Sequence, residues 1–145
     1  MPFITHLLVL LQFTGIGAAC FPVAPAPGGS PYWLLICALG LGGGIVTLYY
    51  NRLGNFNVYP LPKPDARLIT AGPYAYIRHP MYLCLILMML GVALYNSSWV
   101  NYAGLALVTG AVAGKAVLEE RLLLIQFPAY AGYMQRTRRI IPGVF

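Results

Sequence analysis

Charge is scarce in this chain. Aspartate and glutamate together number three among 145 residues, and all charged side chains make up 8% of the sequence, against roughly 25% in an ordinary soluble domain. A water-facing surface cannot be built from so few ions. The acids are Asp65, Glu119 and Glu120, so any carboxylate chemistry has very few candidates. Cysteine is equally sparse: Cys20, Cys37 and Cys84 stand apart, with no CxxC and no Cys/His spacing. Neither a zinc site nor a disulfide framework is indicated, and no metal is expected. No lysine or arginine precedes Arg52, so the first apolar segment lacks the basic start of a secretory signal. Nor does any basic run interleaved with aromatics occur before the C-terminal tail, which argues against a nucleic-acid partner.

What is abundant is apolar surface, at 59% of residues. A soluble chain of this size buries only about two thirds of its unfolded surface, and the remainder would be sticky. A bilayer removes the difficulty. Four apolar runs, at about 3–20, 32–50, 79–95 and 99–118, each suit a helix crossing or nearly crossing a hydrocarbon core roughly 30 Å thick at 1.5 Å per residue. The expected fold is therefore all-α, an integral membrane bundle of four transmembrane helices in a single domain. Residues 21–31 are rich in proline and glycine and read as a loop, and Asn96, Ser97 and Ser98 read as the turn of a helical hairpin.

With four spans, those two connections share one side and hold no lysine or arginine. The opposite side carries Arg52, Lys63, Arg67 and Arg78 in the long 51–77 connection and its exit. It also carries Lys115, Arg121, Arg136, Arg138 and Arg139. The positive-inside rule makes that side, and both termini, cytosolic. Arg136, Arg138 and Arg139 read first as contacts to anionic headgroups and second as a cover over the site, and Tyr130 and Tyr133 first as interfacial aromatics and second as a wall of that cover.

The long connection ends in LITAGPYAYIRHPMY, residues 68–82, and the fourth span ends in Lys115 followed by LEER, residues 118–121. If the hairpin turns at Ser97, His79 lies 18 residues before it (97 − 79) and Lys115 18 after it (115 − 97), so the two are level. Glu119 is at i+4 from Lys115, on the same face and about 6 Å further along. Arg78, His79, Lys115 and Glu119 should then line one pocket at the cytosolic membrane interface, with Tyr74, Tyr76 and Tyr82 as walls. Each residue also has an ordinary reading: His79 as a helix cap, Glu119 and Glu120 as solvated acids, Lys115 as a side chain snorkelling to the interface.

The stretch GNFNVYPLPKPDARLITAGPYAYIRHPMY followed by LEERLLLIQFPAYAGY resembles the isoprenylcysteine carboxyl methyltransferase and phospholipid methyltransferase superfamily of integral membrane enzymes. The resemblance covers residues 51–142. It implies S-adenosylmethionine as cofactor, held by the segments 59–82 and 115–142, the latter as an amphipathic helical tail. The implied cofactor contacts are Arg67, Leu68, Ile69, Tyr74, His79, Pro80, Met81, Tyr82, Glu119 and Glu120. Lys115, Arg78 and His79 are the candidates for the reaction itself. The implied acceptor is an apolar, isoprenoid or lipid-like molecule reached from the membrane lipid, with O-methylation of a carboxylate favoured over N-methylation. Relatives acting on a carboxylate have arginine where Lys115 stands, and lysine lacks its bidentate fork. The rival readings are a reductase related to the sterol reductases and a non-catalytic membrane binding or assembly protein.

Overall fold

The computed structural model describes residues 2–21, 29–55 and 57–143. Most of the 21–31 connection thus falls outside the described residues. Those described form an all-helical fold: α1 (Pro2–Cys20), α2 (Leu34–Asn55), α3 (Pro80–Asn96), α4 (Trp99–Gln126) and the short α5 (Tyr130–Arg136), with single 3-10 turns at Pro31–Trp33 and Gly72–Ala75. Three segments, Phe3–Cys20, Pro31–Arg52 and Trp99–Gln126, are long and apolar enough to cross a membrane, while α3 is apolar but has 17 residues.

Two helices run further than the apolar runs suggested. The long connection was expected to begin at Asn51, but α2 continues to Asn55 across a kink at Arg52, whose φ of 58° lies in the left-handed region. The α4 helix continues past the expected end at 118 to Gln126; Lys115, Glu119 and Glu120 along it have partners inside the protein, while Arg121 is exposed.

Small residues set the helix contacts. A Cβ on Gly104 of α4 would stand 2.3 Å from the Ala19 amide nitrogen and 2.7 Å from the Gly15 carbonyl of α1, so the two backbones touch as in close membrane pairs. Gly40 and Gly91 make the equivalent approach between α2 and α3, with Cys84 O and Cys37 N within 2.7 Å of the added carbon. The α3–α4 hairpin turns through Ser97, which adopts φ 53° and ψ 37° and donates its amide to Ala93 O. Asn101 then closes the end of α1, its amide group donating to Ala18 O, Ala19 O and Phe21 O at 3.0–3.1 Å. Ala19, Met89, Val108 and Val112 form the central core, with Ile16, Tyr82, Leu85 and Ile86 against it.

The outside is apolar: Phe3, Leu39, Tyr49 and Trp99 are each more than 70% exposed. That surface suits acyl chains, with tyrosine and tryptophan towards the headgroups. Polar groups collect at the other extreme of the α3–α4 hairpin from Ser97, where the connection after α2 and the tail after α4 meet.

Candidate functional site

The proline of the His79-Pro80 pair starts α3, where a missing amide costs nothing, and His79 is its N-cap. One residue earlier, Arg78 is drawn inwards. Its Nε donates to Glu120 Oε1 at 2.6 Å, and its Nη1 donates to Thr137 O at 2.5 Å and Met134 O at 3.2 Å. Arg139 reaches the other carboxylate oxygen, with Nη2 and Nε at 2.8 and 2.9 Å from Glu120 Oε2. Glu120 is 2% exposed, so it is not a solvated acid. It joins the loop motif to the tail, and charge-assisted bonds of this kind are the strong ones.

Backbone pairing completes that junction. Arg78 N donates to Arg138 O, His79 N to Arg139 O, and Arg138 N to Tyr76 O, at 2.8, 2.9 and 3.1 Å, around a parallel bridge between Ile77 and Arg138. Tyr133 adds a hydroxyl bond to Tyr74 O at 2.6 Å. The tail is therefore helical only over Tyr130–Arg136, and its last part runs extended beside the motif. Arg139, first read as a headgroup contact, is an internal ion-pair partner.

Glu119 faces the other way. Its Oε1 accepts from the Tyr82 hydroxyl at 2.6 Å and its Oε2 lies 3.2 Å from His79 Nδ1, with the carboxylate side chain 19% exposed. The imidazole is stacked on the Tyr82 ring, centroids 5.4 Å apart. Its Nε2 lies 3.3 Å from Glu120 Oε1, an ion-pair distance, but out of line for a hydrogen bond. Burial pushes His79 towards the neutral form, yet its contacts with Glu119 and Glu120 prevail and hold its pKa above the ordinary 6.5. Burial raises the Tyr133 hydroxyl to about 12, and those of Tyr74 and Tyr130 rise likewise. These phenols are neutral donors at any physiological pH.

Together these residues line one cleft. Of the positions singled out in the sequence, Arg67, Leu68, Ile69, Tyr74, Arg78, His79, Met81, Tyr82 and Glu119 line it. Pro80, Glu120, Lys115 and Tyr76 do not: Pro80 and Glu120 are buried behind the wall, and Tyr76, expected as a wall, is exposed. Tyr130 and Tyr133, read first as interfacial aromatics, are instead buried and line the cleft. Lys115, level with His79 by count, is turned away. Its ammonium donates to Gln12 Oε1 of α1 at 2.7 Å and to Val58 O at 2.6 Å. It is 2% exposed, so it does not snorkel.

The sequence reading missed Asn55, Asn57 and Tyr59 on one wall and Leu123 and Phe127 on another. Asn55 fixes Arg67 by a reciprocal pair, Nδ2 to Arg67 O at 2.8 Å and Arg67 N to Oδ1 at 3.0 Å. An asparagine followed by another two positions on, NFN at 55–57, is the signal that could have pointed there, since such side chains often bind nearby backbone. Gly72 also belongs to the construction. At φ 62° it accommodates the ring of Tyr50, which a Cβ would meet at 2.7 Å. Among the described residues no group of three or more His, Cys, Asp or Glu side chains gathers to hold a metal ion.

Most of the elements that form this cleft, though not the tail from Tyr130 onwards, fall within a match to a known family. The family model for phospholipid methyltransferase matches residues 32–129. The chain belongs to the phospholipid methyltransferase family. The chain is also 40% identical over 115 residues to the cobalt-zinc-cadmium resistance protein CzcN of Cupriavidus metallidurans. That match takes in 78% of this chain and 50% of the relative. It is 30% identical over 113 residues to the nickel-cobalt-cadmium resistance protein NccN of Alcaligenes xylosoxydans xylosoxydans, covering 76% and 52%. The chain thus spans about half the length of these curated relatives. No solved structure matches it.

Proposed function

We propose that this family member is an S-adenosylmethionine-dependent methyltransferase acting on an apolar or lipid-like acceptor at the cytosolic face of the membrane. The observation that carries the reading is the convergence of Arg67–Ile69, Tyr74, His79, Met81, Tyr82 and Glu119, from three separate stretches of sequence, on one cleft. The donor set fits such a cofactor. Glu119 presents a partly exposed carboxylate for its ammonium group, Arg67 a cation for its carboxylate, and Leu123, Phe127 and Tyr130 an apolar wall for a flat heteroaromatic ring. When bound, the sulfonium supplies an electrophilic methyl group.

The chain's own contribution is orientation and exclusion of water. Tyr82 and His79 hold the two oxygens of Glu119 in fixed directions. A histidine whose proton is retained by two carboxylates is a poor general base, so the acceptor has to arrive already nucleophilic. Apolar acceptors would reach the cleft from the bilayer, in keeping with the exposed apolar faces of α1 and α2. The metal-resistance names of the relatives identify no acceptor.

The test is incorporation of label from methyl-labelled S-adenosylmethionine into a polar-lipid extract by the purified chain in liposomes. Glu119→Gln should lower incorporation at least 10-fold, about 1.4 kcal/mol in the barrier. Equal incorporation by the variant, or none by the wild type, would contradict the proposal.

A further inference from the structure

Lys115 is the one cation that the superfamily resemblance assigns to the acceptor, yet its surroundings describe another task. An ammonium has three donors. Two are spent on Gln12 Oε1 and the Val58 carbonyl at 2.7 and 2.6 Å, and the charge lies 5.5 Å from the centroid of the Tyr82 ring, within cation–π reach. With 2% of its surface exposed, Lys115 has no remaining face for an acceptor anion.

The positions of its partners give the arrangement a meaning. Gln12 is in mid-span, nine residues after Phe3 (12 − 3) and eight before Cys20 (20 − 12) in the Phe3–Cys20 segment. Val58 belongs to irregular backbone between Asn57 and Tyr59, both of which line the cleft. The connection after α2 therefore dips along α1 into the bundle, with Tyr59 edge-on to His6 at 5.3 Å and Val58 deeper. Irregular backbone at such depth persists only where its carbonyls are satisfied inside the protein, and a buried ammonium persists only where it is paired or fully hydrogen-bonded. Lys115 and Val58 meet both requirements at once.

We infer that Lys115 is a positioning residue: its ammonium clamps the 57–59 wall of the cleft to α1, and it does not hold the acceptor. Its second effect runs through Tyr82, whose ring lies beneath the charge and whose hydroxyl orients Glu119. The clamp itself stands independently of the proposed chemistry, while its consequence for the cofactor rests on that reading.

Two readouts keep these apart. The first needs no ligand: trypsin cleavage of the folded chain in detergent, after Lys63 and Arg67 in the same connection. Lys115→Met should speed cleavage about 10-fold. Gln12→Leu should act in the same direction, and the double variant should do little more than Lys115→Met alone, because the singles break one shared contact. Gln12→Glu keeps an acceptor for the ammonium and should cleave like wild type. The second readout is methylation of a polar-lipid extract. Lys115→Met should weaken S-adenosylmethionine about 10-fold and leave the apparent KM for the extract within 2-fold. Wild-type cleavage rates in Lys115→Met would overturn the clamp. A raised KM for the extract with unchanged cofactor affinity would return Lys115 to acceptor binding. Failure of the wild type to bind the cofactor would overturn the proposed function and leave the proteolysis result standing.

Discussion

Arg78 Nε and Glu120 Oε1 meet at 2.6 Å with side chains 8% and 3% exposed, and through this pair the start of α3 is fastened to α4 and to the tail. Replacing such a pair by apolar groups can be neutral, but removing one partner leaves a charge stranded. Glu120→Ala strands Arg78 and, in part, Arg139, and should cost about 3–5 kcal/mol. Thermal unfolding in detergent should register the loss as a markedly lower Tm. A Tm within 1–2 °C of wild type, roughly half a kcal/mol for a domain this size, would mean the pair contributes little.

His79 gives stability a pH dependence with a definite sign. Its folded pKa is raised above the ordinary 6.5, so the folded state holds the proton more tightly than the unfolded state. The stabilisation is fully present below about 6.5 and is lost as pH rises through the elevated value. The difference in Tm between wild type and His79→Gln should shrink as pH rises through that interval. A difference that grows with pH would reverse the assignment of His79 as a retained cation between Glu119 and Glu120.

Two tyrosines side by side on α5 should behave oppositely. Tyr133 donates to Tyr74 O at 2.6 Å, whereas the buried Tyr130 hydroxyl has no hydrogen-bond partner among the described residues. Tyr133→Phe should destabilise by about 1 kcal/mol, a typical net hydrogen bond. Tyr130→Phe should be neutral or stabilising, since the hydroxyl is desolvated without return. Equal losses in chemical denaturation would show that the two hydroxyls are not differently engaged.

Orientation in the membrane is open to a direct check. The basic residues lie on the connection after α2, on the tail and towards the adjoining ends of α2 and α4, and the α3–α4 turn carries none. A cysteine introduced at Arg67 should therefore react with an impermeant maleimide only from the cytosolic side, and one at Ser97 only from the other side, in a chain whose native cysteines have been replaced. Labelling of both from one side would mean that α3, with its 17 residues, does not cross the membrane.

Much of the fold was readable because apolar runs and breakers act locally. The runs 3–20 and 79–95 coincide closely with α1 and α3, and Asn96-Ser97-Ser98 marks the hairpin. Counting from Ser97 set His79 level with Lys115 and Glu119 about one turn further along, all facing one pocket; His79 and Glu119 do meet, at 3.2 Å. The same count failed for Lys115, because helical level does not fix where a long side chain turns. Its partner Gln12 is 103 residues away, a pairing with no local trace. Charge also misled at helix ends: Glu119 and Glu120 seemed to close α4, but internal partners let it continue to Gln126. Arg139 escaped for the same reason, since its attachment to Glu120 depends on the extended pairing of the tail with residues 76–79.

Calorimetric titration of the purified chain in detergent is the decisive measurement for binding of S-adenosylmethionine in the cleft around Glu119. Saturable binding is expected for wild type and for Arg136→Ala, whose exposed guanidinium bonds to Gly132 O within its own helix. Binding should be at least 10-fold weaker for Glu119→Ala, with the variant still folded by thermal unfolding. No binding by folded wild type, or undiminished binding by Glu119→Ala, would contradict binding of the cofactor in that cleft.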